Sequence, residues 1–129
     1  MQPGLVGEVR TTVSDANVAS AYGSGAIDVF ATPAMIALME GAASRAVQSS
    51  LAPGSVTVGT RIDVRHLAAT PVGLEVRARA ELMEIDGRRL VFRVEAFDSN
   101  EMIGEGTHER AIVDSERLLA RARSKASVK

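Results

Sequence analysis

Residue types that often hold a small protein together are scarce in this sequence. The 129-residue chain has no cysteine and no tryptophan, and aromatic residues make up 3% of it. Without cysteine there is no disulfide framework, no thiolate nucleophile and no cysteine-ligated metal site. With so few aromatic residues, we expect a core built from Val, Leu, Ile, Ala and Met.

Excess charge and long apolar segments are also missing. The formal net charge is -1, which provides no bulk attraction to nucleic acid or to an anionic membrane. No apolar run approaches the ~20 residues of a membrane span. The N-terminal stretch has no basic segment followed by an apolar one, as a signal peptide would. We therefore expect a cytoplasmic protein that binds neither nucleic acid nor membrane.

The residues that are present suit one globular domain. Hydrophobic residues make up 46% and charged residues 24%, which is typical of globular proteins. The length predicts a single domain over residues 1–129. Within it we expect a core over about 5–113 and a polar helical tail over 114–129.

The stretch "ATPAMIALMEGAASRAVQSSL", positions 31–51, predicts one long apolar helix. Thr32 suits the N-cap, and Pro33 suits the first helical position because its missing N–H is not needed there. A Pro-Gly pair at 53–54 ends the pattern. Glu40 lies in the middle, and an unpaired charge on a buried face is costly. Glu40 must therefore face water, pair with a distant residue or take part in chemistry.

The remainder of the chain alternates with the period of β-strands. Residues 5–13 predict a strand before the helix. Four more strands are predicted after it, over 55–70, 74–85, 89–97 and 102–113. We expect these four to form an antiparallel meander, with a hairpin turn at Asp86-Gly87. Five antiparallel strands wrapped around one long apolar helix make an α+β fold. Its edge strands favour pairing with a second chain, so we expect a homodimer.

The first strand after the helix carries a histidine on an apolar face. In strict alternation, His66 shares its face with Ile62 and Val64 and points toward the helix, while Gly59 lies on the opposite face. A glycine within a strand also marks a bulge or a close backbone approach. A carboxylate and an imidazole that meet between sheet and helix stabilise each other's charged forms. His66 is therefore a candidate for the distant partner of Glu40.

Three stretches resemble one known family. "FATPAMIALME", "VGTRIDVRHLAATPVG" and "DGRRLVFRVEAFD…IGEGTHERAIV" are together similar to the fluoroacetyl-CoA thioesterase family of hotdog proteins, over roughly residues 28–113. The resemblance implies a hotdog fold and an acyl-CoA substrate. It also implies that Thr32, Glu40 and His66, which match the family's catalytic positions, form the catalytic group. Gly59 would lie near the bound thioester.

Further candidates for substrate binding lie in the predicted lid and in the last strand. The lid stretch "YGSGAIDVF" has few bulky groups, among them Phe30, and so does not predict a specialised fluoroacetyl gate. His108 and Arg110 share the strand face of Ile112, and either could reach the site or cap the sheet. We take Phe30 and Arg110 as substrate-binding residues. The small residues expected near the site indicate a short acyl chain.

Thioester hydrolysis fits this set of side chains. It needs an activated water or a nucleophile, a polarised carbonyl and a proton for the departing sulfur. Glu40 could be the general base or could attack directly, and His66 could shuttle the proton. Thr32, at a helix N-terminus whose dipole favours negative charge, could hold the carbonyl or orient the nucleophile. We expect no metal and no cofactor, since CoA is part of the substrate.

Helix geometry predicts a shared site. Thr32 and Glu40 are eight residues apart, and therefore roughly 12 Å apart along the helix axis. One subunit would not bring both side chains to one small acyl group. A two-fold homodimer, alone or within a dimer of dimers, could place Thr32 of one chain near Glu40 of the other.

Other interpretations remain open. Thr32 could serve only as a cap, Glu40 could be a solvated helix residue, and His66 could be structural. The protein could be a non-catalytic hotdog module that binds acyl-CoA or another small ligand. An enoyl-CoA hydratase is less favoured, because such enzymes pair Asp and His near the helix start. Here the helix has no His, and Asp63 and His66 fall on opposite strand faces.

Overall fold

Residues 1–126 are described by a computed structural model. The elements in chain order are β1 (Val6–Thr12), α1 (Ala19–Tyr22), α2 (Thr32–Val47), a 3-10 turn (Gln48–Ser50), β2 (Ser55–His66), β3 (Glu75–Asp86), β4 (Arg89–Phe97), β5 (Met102–Asp114) and α3 (Ser115–Ser124). The strands form one antiparallel five-stranded sheet in the order β1-β3-β4-β5-β2. With α2 packed on it, this sheet confirms the predicted α+β architecture.

The inner face of the sheet matches the predicted alternation in β3 and β4. The inward residues there are fully buried: Val76, Ala78, Ala80, Leu82, Leu90, Phe92, Val94 and Ala96. Against them α2 buries mostly small or flexible side chains, namely Ala34, Met35, Met39, Ala42, Ala43, Ala46 and Val47. The backbone of β1 comes so close that a Cβ on Gly7 would collide with the carbonyl oxygen of Ala42. Close helix–sheet packing therefore compensates for the shortage of large aromatic residues.

The start and end of α2 differ from the prediction. Ala31 occupies the N-cap position without a side-chain cap, and Thr32 is the first helical residue, followed by Pro33. The prediction that Thr32 caps the helix is wrong, because its hydroxyl contacts a strand residue instead. The helix ends at Val47 and is followed by the 3-10 turn, so it is shorter than the predicted apolar stretch.

The predicted four-strand meander is wrong at its first step. Only β3, β4 and β5 follow one another as neighbours, while β2 pairs with β5 and β3 pairs with β1. The loop over 67–74 explains the difference, because it is far longer than a hairpin turn. Its Thr70 carbonyl accepts a hydrogen bond from Phe30 N–H (2.8 Å), and its Gly73 N–H donates to Val13 (2.9 Å). The chain thus crosses past the start of α2, which leaves β2 as an edge strand.

A bulge in β2 reverses the predicted facing of the first half of the strand. Gly59 pairs with Arg110 and Arg61 pairs with Glu109, so Thr60 is left over between them. One extra residue shifts the alternation by one position. Gly59 therefore lies on the same inward face as His66, and its predicted outward facing is wrong. The strand glycine marks both a bulge and a close backbone approach.

Two short helical segments complete the described chain. The helix α1 lies just before the predicted lid and shares only Tyr22 with it, and Gly23 ends this helix in the left-handed conformation at φ 66°. The polar tail is helical as α3 through Ser124, and Asp114 caps it by accepting a hydrogen bond from the Arg117 N–H. The last three residues of the predicted tail, 127–129, lie outside the described residues. Within 1–126, α2 and the other helices are too short or too polar to cross a membrane.

Candidate active site

His66 and Thr32 meet where β2 ends and α2 begins. His66 Nδ1 lies 2.8 Å from Thr32 Oγ1, at hydrogen-bonding distance. Burial lowers the pKa of His66, and a backbone hydrogen bond at Ala68 partly opposes that shift. Its Nε2 atom is buried without a hydrogen-bond partner among the described residues. The Thr32 hydroxyl thus holds the ring at Nδ1, while Nε2 has no hydrogen-bond partner among the described residues.

A cavity of about 320 Å³ opens beside this pair. Its walls come from α1, the loop before α2 and the loop after β2, and most of the lining residues are small. Phe30 is the largest of them and is itself 1% exposed, so it forms a fixed wall. The cavity is suited to a short apolar group next to the hydroxyl and the imidazole.

Glu40 lies further along α2 and faces a different part of the sheet. Its Oε2 atom is 3.7 Å from Arg110 Nη1, and the side chains are 42% and 9% exposed respectively. The prediction that its distant partner in the chain is His66 is wrong, because Arg110 holds that place. The cause is the helix rise, which separates the level of Glu40 from that of Thr32 by roughly 12 Å.

Gly59 allows the Glu40 carboxylate to lie against the strand backbone. A Cβ at this position would be 2.5 Å from Glu40 Oε2 and 3.2 Å from His108 Cε1. A second cavity, of about 200 Å³, is lined by these three residues and by Thr60, Arg61 and Ile62. Because Gly59 has no side chain, there is room for this cavity and the Glu40 carboxylate can lie close to the backbone of β2.

Arg110 is held by three hydrogen bonds to two residues, Thr57 and His108, besides its contact with Glu40. Its Nε donates to Thr57 Oγ1 (2.8 Å) and its Nη2 to the Thr57 carbonyl (2.9 Å). Its Nη1 donates to His108 Nε2 (3.1 Å), and His108 Nδ1 donates to the Arg61 carbonyl (2.7 Å). Burial lowers the pKa of Arg110, an effect that the Glu40 charge opposes. The guanidinium still stays charged at neutral pH.

All six predicted site residues lie along one side of α2, in two separate groups. Phe30, Thr32 and His66 form one group, and Glu40, Gly59 and Arg110 form the other. The sequence left His108 undecided, although its shared face with Arg110 was the right signal. The alternation did not identify Thr57 as a partner of Arg110, because the bulge at Thr60 reverses the facing of the strand residues before it. Among residues 1–126, no group of three His, Asp or Glu side chains could hold a metal ion.

Comparison with known proteins identifies the family. The model of the fluoroacetyl-CoA-specific thioesterase family matches residues 13–116. The fluoroacetyl-CoA thioesterase of Streptantibioticus cattleyicolor is 50% identical over 98 residues, which cover 76% of this chain and 70% of that protein. A crystallised fluoroacetyl-CoA thioesterase superposes with a TM-score of 0.91 at 40% identity over 97% of both chains.

A more distant structure extends the comparison. A Thermus thermophilus protein described as a thioesterase superfamily member superposes with a TM-score of 0.90 at 26% identity. The alignment covers 98% of this chain and 93% of that one. The same curled sheet and central helix are thus shared well beyond the fluoroacetyl-CoA thioesterases, which confirms the predicted hotdog fold. The chain belongs to the fluoroacetyl-CoA-specific thioesterase family and is a hotdog-fold acyl-CoA thioesterase.

Proposed function

We propose that this thioesterase hydrolyses short-chain acyl-CoA at a site shared by the two subunits of a homodimer. The separation of the two groups along α2 carries the proposal. One group offers a hydroxyl and an imidazole with a free nitrogen, and the other offers a carboxylate. Neither group alone supplies everything that thioester hydrolysis requires. A second subunit would bring the missing half to each.

The edge strand β2 supports this assembly. It pairs with β5 on one side, and no strand of residues 1–126 pairs with its other edge. Unpaired edges favour strand addition, and a two-fold axis would join two copies of β2 antiparallel. Because Thr60 is bulged out, Asp63 is the midpoint of the ladder between Gly59 and His66. An axis beside Asp63 would set His66 opposite Gly59 of the partner subunit, and hence close to Glu40 of the partner subunit.

The proposed chemistry uses each side chain once. Glu40 of the partner subunit takes a proton from water, whose oxygen attacks the thioester carbonyl. Thr32 and the first turn of α2 hold the developing oxyanion, for which the helix dipole is favourable. The proton passes from Glu40 to His66, and as the C–S bond breaks His66 delivers that proton to the leaving CoA sulfur. Direct attack by Glu40, which expels the CoA thiolate and forms a mixed anhydride, is the other route. Uptake of ¹⁸O into the Glu40 carboxylate during a single turnover in H₂¹⁸O, which occurs when water opens the anhydride at the Glu40 carbonyl, would establish that route.

The acyl group is proposed to be of acetyl, fluoroacetyl or propionyl size. Support comes from the cavity of about 320 Å³ beside Thr32, whose walls are mostly small residues. The relative from Streptantibioticus cattleyicolor is a fluoroacetyl-CoA thioesterase. The reaction as written consumes only water and needs no metal or cofactor apart from the CoA of the substrate. The cytoplasmic location and the lack of nucleic-acid or membrane partners stay predictions of the sequence.

Release of CoA from a panel of thioesters tests the proposal. The panel contains acetyl-, fluoroacetyl-, propionyl-, phenylacetyl- and long-chain acyl-CoA, together with an enoyl-CoA assayed for both hydrolysis and hydration. We expect the highest kcat/KM for the two- and three-carbon acyl groups. Tight binding without turnover would favour the non-catalytic module. Hydration of the enoyl group would favour the hydratase, and a preference for long chains would refute the proposed pocket.

A further inference from the structure

We infer that His108 is a positioning residue, which keeps the Arg110 guanidinium from closing onto the Glu40 carboxylate. The inference rests on the proposed function, because it takes Glu40 as the group that acts on water or on the thioester. His108 is 1% exposed, and it lies on β5 two residues before Arg110. It is therefore an internal wall of the Glu40 cavity.

The hydrogen bonds of His108 specify its tautomer. The Arg61 carbonyl can only accept, so His108 Nδ1, at 2.7 Å, must carry the proton. A neutral ring then has a bare Nε2, which accepts from Arg110 Nη1 at 3.1 Å. A second proton on the ring would place an N–H at His108 Nε2 directly against the N–H of Arg110 Nη1. Burial and the Arg110 charge both lower the pKa of His108, while the Arg61 carbonyl and the charges of Glu40 and Glu109 oppose them.

The two contacts of Arg110 Nη1 are unequal. Its distance to His108 Nε2 is that of a hydrogen bond, whereas its 3.7 Å distance to Glu40 Oε2 is too long for one. Thr57 anchors the other two nitrogens of the guanidinium. Because the guanidinium is planar, these two anchors fix the position of Nη1, and His108 accepts from one of its N–H groups. Without that acceptor, the half-exposed Glu40 carboxylate would close onto the freed N–H group, and the closed ion pair would hold Glu40 away from the reacting water.

Two substitutions distinguish the role of His108 Nδ1 from that of His108 Nε2. His108→Gln places an amide oxygen near the position of Nε2 and keeps an acceptor for Arg110. His108→Asn keeps a donor for the Arg61 carbonyl but does not reach Arg110. We expect His108→Asn to lower kcat on the order of tenfold to a hundredfold with little change in KM, because a misplaced catalytic group slows the reaction without weakening binding. His108→Gln should recover most of that loss.

A double-mutant cycle tests whether His108 acts through Arg110. In an Arg110→Met background, His108→Asn should cause no further loss of kcat, because Nη1 is no longer there to be held. Losses that multiply, or equal losses in the Gln and Asn variants, would indicate a merely structural histidine and overturn the inference. Wild-type kcat in His108→Asn would overturn it too. Wild-type kcat in the Arg110→Met variant alone would support the inference, because no guanidinium then remains to close onto Glu40.

Nitrogen-15 NMR of the unsubstituted ring gives a test that does not depend on whether a His108 variant folds. The chain has two histidines, so His66→Ala leaves one imidazole to observe. We expect a neutral ring protonated at Nδ1 with a hydrogen-bonded, unprotonated Nε2. The opposite tautomer, or a charged ring at neutral pH, would overturn the inference.

Discussion

His66 on β2 lies beside the start of α2, whereas His108 on β5 lies near Glu40 further along that helix, and the hydrogen bonding of the two histidines differs. His66 shares one nitrogen with a hydroxyl and has a second, buried nitrogen without a partner among the described residues. His108 has both nitrogens hydrogen-bonded. Burial lowers the pKa of both rings and so favours the neutral form of each. A neutral ring with a free nitrogen can transfer a proton, whereas a fully bonded ring can only hold its neighbours in place.

The two carboxylate environments along the sheet show the same contrast. Glu109, on the outer face, accepts hydrogen bonds from Arg89 at 2.8 Å and from Arg61 at 3.3 Å. Those ion pairs lower the pKa of Glu109, and they fully engage the group. Glu40 has one arginine at 3.7 Å and open space beside it. Both oxygens of the structural carboxylate, Glu109, accept hydrogen bonds from arginines. The candidate catalytic carboxylate, Glu40, lies near Arg110 but beyond hydrogen-bonding distance, so its oxygens remain open to water.

Removal of the free groups should produce the largest effect. We expect Glu40→Gln and His66→Ala each to lower kcat/KM by roughly 10²- to 10⁴-fold, the range for loss of a general acid or base. Steady-state hydrolysis of the best acyl-CoA measures this. Circular dichroism and thermal unfolding check that the fold is retained.

Glu105→Gln is the matched control for that comparison. Glu105 is a surface carboxylate of β5 that pairs with Arg93 at 3.1 Å, away from both groups of the site. An exposed pair of this kind contributes about 0–1 kcal/mol to stability, so activity should stay near wild type. Near-wild-type kcat/KM in both Glu40→Gln and His66→Ala would show that these residues are structural.

The fold was predictable wherever a local pattern decided the structure. The alternation in β3 and β4 identified their buried residues, because each of these strands has one face on the core. The order of the strands was not predictable in the same way. It depends on where the loop over 67–74 leads, and that loop is held by contacts with Phe30 and Val13, which are distant in sequence.

The sequence predicted which residues to consider for the site and that Thr32 and Glu40 lie apart, but it did not predict that Arg110 lies beside Glu40. Glu40 and His66 stood out as ionisable residues on apolar faces, and the family resemblance supplied Thr32 and Gly59. Their separation into two groups follows from the helix rise, which sequence spacing already contained. The facing of Gly59 and Thr57 could not be predicted, because one bulged residue reverses a whole strand segment and leaves no signal in the alternation.

A methyl group at Gly59 should separate stability from activity. In Gly59→Ala the new Cβ would meet Glu40 Oε2 at 2.5 Å, and the carboxylate is the movable end of a flexible side chain. The Cβ would also lie 3.2 Å from His108 Cε1, so that ring would have to shift by a few tenths of an ångström. We therefore expect little change in thermal stability but a fall in kcat on the order of tenfold, because Glu40 is displaced. Steady-state kinetics and a thermal melt on the same sample measure both.

Gly41→Ala provides the control for Gly59→Ala. Gly41 is the next residue after Glu40, but a Cβ there would have only Val9 Cγ2 nearby, at an ordinary 3.8 Å. This substitution should leave kcat unchanged and raise stability by up to about 1 kcal/mol, since alanine favours a helix over glycine. If Gly59→Ala keeps full activity, the close approach of Glu40 to β2 has no role in catalysis.

Mixing two impaired variants tests whether the Thr32 group of one subunit and the Glu40 group of the other form one site. The expected effect is a partial recovery of activity, the smallest change predicted here. Thr32→Ala and Glu40→Gln are lesions on different chains of one shared site. After denaturation and refolding together, random pairing makes about half of the dimers mixed, and each mixed dimer has one intact site and one doubly impaired site. Activity should therefore return to about a quarter of the wild-type value per subunit. Mass spectrometry verifies the exchange, and unmixed samples refolded in parallel give the background. With exchange verified, activity no higher than that background would place the whole site within one chain.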